Sequence, residues 1–216
     1  MPEIFSYITL AAPSEGSYHE SGSKFLAFGF RINDRTELNE RLAMLRAEHP
    51  TARHQCYAYR LLERNEITEY SSDAGEPTGS AGAPILGEIK RNELVNVLVI
   101  VVRYFGGTKL GIPGLINAYR ESAHQALASG QVITVSRTIQ YTISMPVGLQ
   151  PRLYHACKQH GIEIENPAYG SVLTALLHIP MKDVESRLNE LLSSIAGKQG
   201  TNEQLVELMK IELRRV

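Results

Sequence analysis

Hydrophobic and polar positions first fall into register along residues 24–32, KFLAFGFRI, where Leu26, Phe28, Phe30 and Ile32 alternate as a half-buried strand requires. The period then lengthens. Asp34 stands three residues ahead of Glu37, and Leu38, Leu42 and Leu45 recur on one helical face until Pro50, which predicts a capped helix over 36–48. Residues 54–62, HQCYAYRLL, alternate again, and 67–70 are short and β-prone, so a hairpin turning at Arg64 and Asn65 is expected. After a stretch rich in Gly, Pro and Ser, a short helix is expected over 84–93. Residues 95–105 form an almost unbroken β-branched run, the pattern of a strand covered on both faces. The loop GGTKLGIPG then leads into a helix with Pro113 in its first turn and Gly130 just past its end. Leu115, Tyr119, Ala123 and Ala126 share its inner face.

Beyond Gly130 the pattern changes character. Residues 132–147 are β-prone throughout, a helix opens at Pro151 and closes at Gly161, and two strands, 162–166 and 172–179, flank the turn NPAYGS. Val184, Leu188, Leu191 and Ile195 then mark an amphipathic helix ending at Gly197. The tail 206–213 fits helix or strand. The β-α-β-β-α-β order of a ferredoxin-like domain favours strand. Two domains are therefore expected, residues 1–130 and 131–216, in an α+β chain.

Composition narrows the function classes. At 216 residues, with 43% hydrophobic and 21% charged positions, the chain can bury two ordinary cores. No apolar run approaches the roughly 18 residues a membrane span needs, and the N-terminal segment lacks a signal-peptide pattern. A cytoplasmic protein with no membrane partner is expected. Cys56 and Cys157 lie far apart, outside any zinc or disulfide spacing, and read as buried thiols. The net charge of −1 excludes a protein that coats nucleic acid by bulk charge, so any such role must be local.

Two glycine-rich loops, 75–82 and 106–114, carry the candidate chemistry. In the first, Gly75, Gly79 and Gly82 let successive N–H groups converge into an anion-binding nest ahead of a helix. Thr78 and Ser80 add hydroxyls, and Asp73 and Glu76 add carboxylates suited to a metal or to proton transfer. A tight turn whose hydroxyls cap the helix accounts for the same residues. The second loop sets Arg103, Tyr104 and Lys109 beside Gly106, Gly107 and Thr108 at a strand-to-helix junction, a usual place for phosphate or carboxylate. Its spacing matches neither a Walker loop nor a dinucleotide fingerprint. Between residues 73 and 114 four acids (Asp73, Glu76, Glu88, Glu93) face four bases (Lys90, Arg91, Arg103, Lys109), so no electrostatic funnel is expected. His54, on a strand beside Arg53 and Cys56, could ligate a metal or shuttle a proton, but a lone strand histidine reads first as structural. No metal or other cofactor is expected.

The segments RHQCYAYRL (53–61), SSDAGEPTGSAGAPIL (71–86) and NVLVIVVRYFGGTKLGIPGLINAYRES (96–122) resemble the IMPACT/YigZ family in its bacterial two-domain form, over residues 20–125. The resemblance implies an N-terminal βαβ ribosomal-protein-like domain, similar to the fourth domain of elongation factor G, followed by a ferredoxin-like domain. It also implies translation regulation, which eukaryotic relatives carry out through segments absent from this chain. Gln55 departs from a second histidine after His54, and Ile112-Pro113 from a more glycine-rich pair.

The resulting expectation is a non-catalytic, translation-associated binding protein whose two loops meet RNA, the ribosome or a translation-regulatory protein. The alternative is an enzyme for a small phosphorylated or carboxylated substrate, with Glu76 or Asp73 as base. A third reading makes Tyr104, Phe105 and Leu110 a protein-docking patch, which requires these side chains to be exposed.

Overall fold

The structure is a computed structural model that describes residues 3–216. The described chain divides into two compact units: Tyr7–Val135 with Glu3, and Ser136–Val216 with Ile4–Ser6.

The first unit is built on a five-stranded antiparallel sheet of β2 (Ser14–Glu20), β3 (Ser23–Arg31), β4 (His54–Glu63), β5 (Glu66–Ser72) and β6 (Val97–Tyr104), in the order β2-β3-β6-β4-β5. β6 is the expected β-branched run and lies at the centre. Its odd positions, Val97, Val99 and Val101, pack with α2 (Gly82–Arg91) and α3 (Gly111–Ser129). Its even positions, Leu98, Ile100 and Val102, pack with α1 (Arg35–Glu48). Burial on both faces is why this segment does not alternate between apolar and polar.

Local signals explain the elements. The Asp34 carboxylate accepts from Thr36 N at 2.7 Å and Glu37 N at 2.9 Å, while Glu37 reaches back to Asn33 N at 2.9 Å. The reciprocal cap therefore closes one residue earlier than a standard capping box. Arg64 and Asn65, with φ of 50° and 74°, form the two-residue hairpin turn between β4 and β5. β1 (Ser6–Leu10) and β2 carry no strong apolar alternation, and β1 pairs with β7 (Val132–Ser136) in a two-stranded sheet. Gly130 ends α3 with φ of −82°, so left-handed backbone is not its purpose; a Cβ there would lie 2.7 Å from Leu10 Cδ2.

In the second unit a four-stranded sheet runs β11-β8-β10-β9. It comprises β8 (Thr138–Met145), β9 (Glu163–Tyr169), β10 (Leu173–Pro180) and β11 (Glu212–Arg215). Three helices, α4 (Gln150–His160), α5 (Val184–Ala196) and α6 (Asn202–Met209), complete the core with Leu153, Leu191 and Leu205. Two expectations need correction. Asn166 and Pro167 lie inside β9, because this edge strand tolerates a proline and a bulge, with Asn166 at φ 50° and a register shift opposite 174–176. The ambiguous tail is both elements in turn: α6, then β11 after Lys210 turns the chain at φ 54°. Among the described residues no helix is long and apolar enough to cross a membrane.

Candidate functional site

The two glycine loops lie side by side at one end of the five-stranded sheet. Arg103 is the last inward-facing residue of β6, and His54 on β4 is its cross-strand partner. From the first loop Glu76 reaches over to Arg103 Nη1 at 2.6 Å, and Tyr119 Oη on α3 donates to the same Glu76 Oε1 at 2.8 Å. The side chains of Glu76 and Arg103 are only 4% and 7% exposed. The guanidinium sits between two rings, 5.4 Å from the Phe25 centroid and 5.6 Å from that of Phe105. Burial pushes the Tyr119 hydroxyl far above its ordinary pKa, with Cys56 and Glu76 adding to the effect, so it is a fixed donor. Burial likewise pushes the Cys56 thiol up to about 12, and its Sγ donates to Asp73 O. The tyrosine read from the sequence as mere helix packing is therefore part of the polar floor of the site.

The first loop does build a nest of N–H groups, and its occupant belongs to the chain itself. The Asp73 carboxylate fills it, accepting from Gly79 N at 2.8 Å, Ala81 N at 3.0 Å and Gly82 N at 2.8 Å. Asp73 thereby caps α2, whose own N-cap residue Ala81 contributes no side-chain bond. Burial raises this carboxyl group's pKa, but the three backbone bonds outweigh it and leave the group below the usual range. A carboxylate with a depressed pKa stabilises the fold above its unfolded pKa, and that contribution is lost as pH falls through the folded value. Asp73→Ala is expected to cost about 1.5–3 kcal/mol at pH 7, the scale of a charged hydrogen-bonding group. In urea unfolding at stepped pH, the gap between wild type and variant should narrow below about pH 4. An equal gap at pH 7 and pH 3 would contradict the assignment.

The other residues of the two loops divide into structural and available groups. Ser80 is buried and donates to Pro77 O at 2.6 Å, so it closes a turn and does not face a ligand. Tyr104 points to the α1 face of β6, where its hydroxyl meets His49 Nδ1 at 2.8 Å. Gly106 has no room for a side chain, because a Cβ would collide with the backbone of Gly22 and Ser23. Gly75 and Gly107 hold φ of 87° and 88° in exposed turns, and Thr78, Thr108 and Lys109 are exposed. Of the proposed docking patch only Phe105 is well exposed, at 56%; Leu110 packs against the core.

Two adjoining cavities occupy the space between the loops. One, of about 700 Å³, has Thr51, Arg53 and His54 on one side and Arg103, Tyr104, Phe105 and Lys109 on the other. The second, about 360 Å³, shares Arg103, Phe105 and Lys109 and adds apolar walls and Glu76. The larger cleft has no acidic residue in its lining. The equal count of acids and bases along the sequence concealed this, because the acids turn away: Asp73 into its nest, Glu76 onto Arg103, and Glu88 into the α2–α3 core, 1% exposed. Thr51 and Arg53 are the lining residues that sequence reasoning missed as site members. The signal for Arg53 would have been a cation just ahead of β4, whose first residue, His54, pairs with Arg103 in a register the sequence does not specify. His54 Nδ1 donates to Ala74 O at 3.0 Å, which ties the ring to the first loop.

Both acids once considered as catalytic bases are thus committed to protein partners, Asp73 to backbone and Glu76 through Oε1 to Arg103 and Tyr119. Among the described residues no group of three or more His, Cys, Asp or Glu side chains is placed to hold a metal ion.

Comparison with known proteins places this geometry in context. The Impact N-terminal domain family matches residues 21–127, the segment that contains both loops, β6 and most of α3. A Haemophilus influenzae protein described as an IMPACT family member is 32% identical over 158 residues, 72% of this chain and 76% of its own. The crystal structure of a hypothetical protein superposes with a TM-score of 0.69 at 24% identity, covering 99% of this chain and 98% of that one, and shows the same fold. Yih1, described as a two-domain translational regulator, aligns over 60% of this chain and 50% of its own at 22% identity, with a TM-score of 0.33.

Proposed function

The chain belongs to the IMPACT family, and from that premise we propose that it is a non-catalytic, translation-associated protein that binds single-stranded RNA along the basic cleft between its two loops. The observation that carries this reading is the partition of charge. Arg53, His54 and Lys109 line a cleft of about 700 Å³ with no carboxylate among them, although the whole chain is slightly acidic. Arg53 and Lys109 make no ion pair within the chain among the described residues, so both remain available to phosphate oxygens. Phe105, 56% exposed on the same wall, offers a ring face on which a base can stack, the second component of single-strand binding sites.

The translation link rests on the family resemblance. We read the first unit as the ribosomal-protein-like domain of that family. The sheet order β11-β8-β10-β9, with α4 and α5 as the two crossover helices, supports a ferredoxin-like reading of the second unit. The cytoplasm is the compartment this reading requires.

Filter binding of a short single-stranded RNA at several salt concentrations tests the proposal. Retention at low salt that weakens several-fold, on the order of sevenfold from about 50 to 200 mM, is expected for two phosphate contacts. Undetectable retention at the lowest salt would overturn it.

A further inference from the structure

The smaller cavity has a chemistry the phosphate cleft does not explain. Pro77, Phe105, Leu110, Ile112 and Leu115 give it apolar walls, and Glu76 lies at its floor. The Glu76 carboxylate is 96% buried by the complement of its 4% exposure, yet it is only half used. Both of its bonds, from Arg103 and from Tyr119, go to Oε1. Among the described residues Oε2 accepts from no group of this chain, and Glu76 lines the cavity. An unsatisfied carboxylate oxygen under apolar walls is costly unless a donor arrives to meet it. The cavity communicates with the basic cleft through Phe105 and Lys109, which line both.

We propose that this cavity captures one unstacked nucleobase of the strand whose phosphates lie in the adjoining cleft; the inference rests on the RNA reading of that cleft. The base slides between Phe105 and the Leu110, Ile112 and Leu115 wall, and an N–H on its Watson–Crick edge donates to Glu76 Oε2. A flat, apolar, donor-bearing ligand attached to an anionic chain fits the combination of walls, floor and rim. A basic side chain would satisfy Oε2 but would meet Lys109 and Arg53 on the way in. Sequence-tolerant binding follows, because each of the four bases carries at least one N–H donor on that edge or an amino group beside it.

The test uses the full chain and two fluorescent RNA heptamers at low salt, one intact and one with abasic sites at its three central positions. Anisotropy should show the intact strand binding roughly tenfold more tightly than the abasic strand, the effect of one base stacked on an aromatic ring. Ile112→Trp, at an exposed position on the cavity wall, should fill the space. It should lower affinity for the intact strand by about the same factor, leave the abasic strand unchanged and leave the unfolding midpoint in place. Equal affinity of the wild type for the two strands would overturn base capture while leaving phosphate binding standing. Absence of binding to either strand would overturn both. Displacement of the intact strand by an acidic peptide as effectively as by unlabelled RNA would also overturn base capture and point to a protein ligand.

Discussion

Replacing Glu76 with alanine is expected to destabilise the first unit by about 3–5 kcal/mol, the cost of removing one partner from a buried ion pair. The pair is 4% and 7% exposed, so little solvent screens it. The deletion strands the Arg103 guanidinium between Phe25 and Phe105 and leaves the Tyr119 hydroxyl without its acceptor. Arg103 Nε already has no partner, so the residue has no spare bond with which to compensate. Glu76→Gln keeps an acceptor for both donors and should cost less. Calorimetric unfolding of the full chain, in which two compact units allow two transitions, should show the loss in one transition and leave the other at its wild-type temperature. A loss below about 1 kcal/mol would mean that Glu76 and Arg103 are not the buried pair described.

Reversing the charge at Arg53 and Lys109 should have the opposite profile: little change in stability and a large loss of RNA binding. Both side chains are exposed and make no ion pair among the described residues, so surface substitutions there should stay within about 0.5 kcal/mol. Each lost phosphate contact should weaken binding on the order of tenfold at low salt, with no dependence on sequence. Arg53→Glu with Lys109→Glu should therefore abolish detectable retention in the assay that reports wild-type binding.

Which parts of this picture the sequence made legible follows from how local each signal is. Helix α1 was readable because Asp34, Glu37 and the leucine spacing all act within one segment, and the β4–β5 turn because Arg64-Asn65 interrupts two alternating runs. The glycine loops were recognisable as a pair by composition. Their chemistry was not, since what decides it is long-range. Asp73 sits six to nine residues before the amides it caps, and nothing in the spacing distinguishes that arrangement from an empty nest. Gly106 reads as a phosphate-loop glycine until Gly22 is found pressed against it from across the sheet. Tyr104 and Arg103 are neighbours in sequence, yet the pleat sends them to opposite faces. The balanced charge count misled for the same reason: folding ties Asp73 to backbone and Glu76 to Arg103, and leaves Arg53 and Lys109 exposed. Strands β1 and β2 gave no periodic signal, because β2 alternates exposed and half-buried polar residues.

The central claim is that this cleft binds RNA through its unpaired cations, and the salt dependence of binding tests it most directly. With Arg53 and Lys109 each neutralising one phosphate, the slope of log affinity against log salt should be about −1.4, at roughly 0.7 per single-strand contact. In a milder double variant, Arg53→Ala with Lys109→Ala, the slope should fall to near zero as affinity drops. A double variant with the wild-type slope and affinity would place the RNA elsewhere and contradict the account.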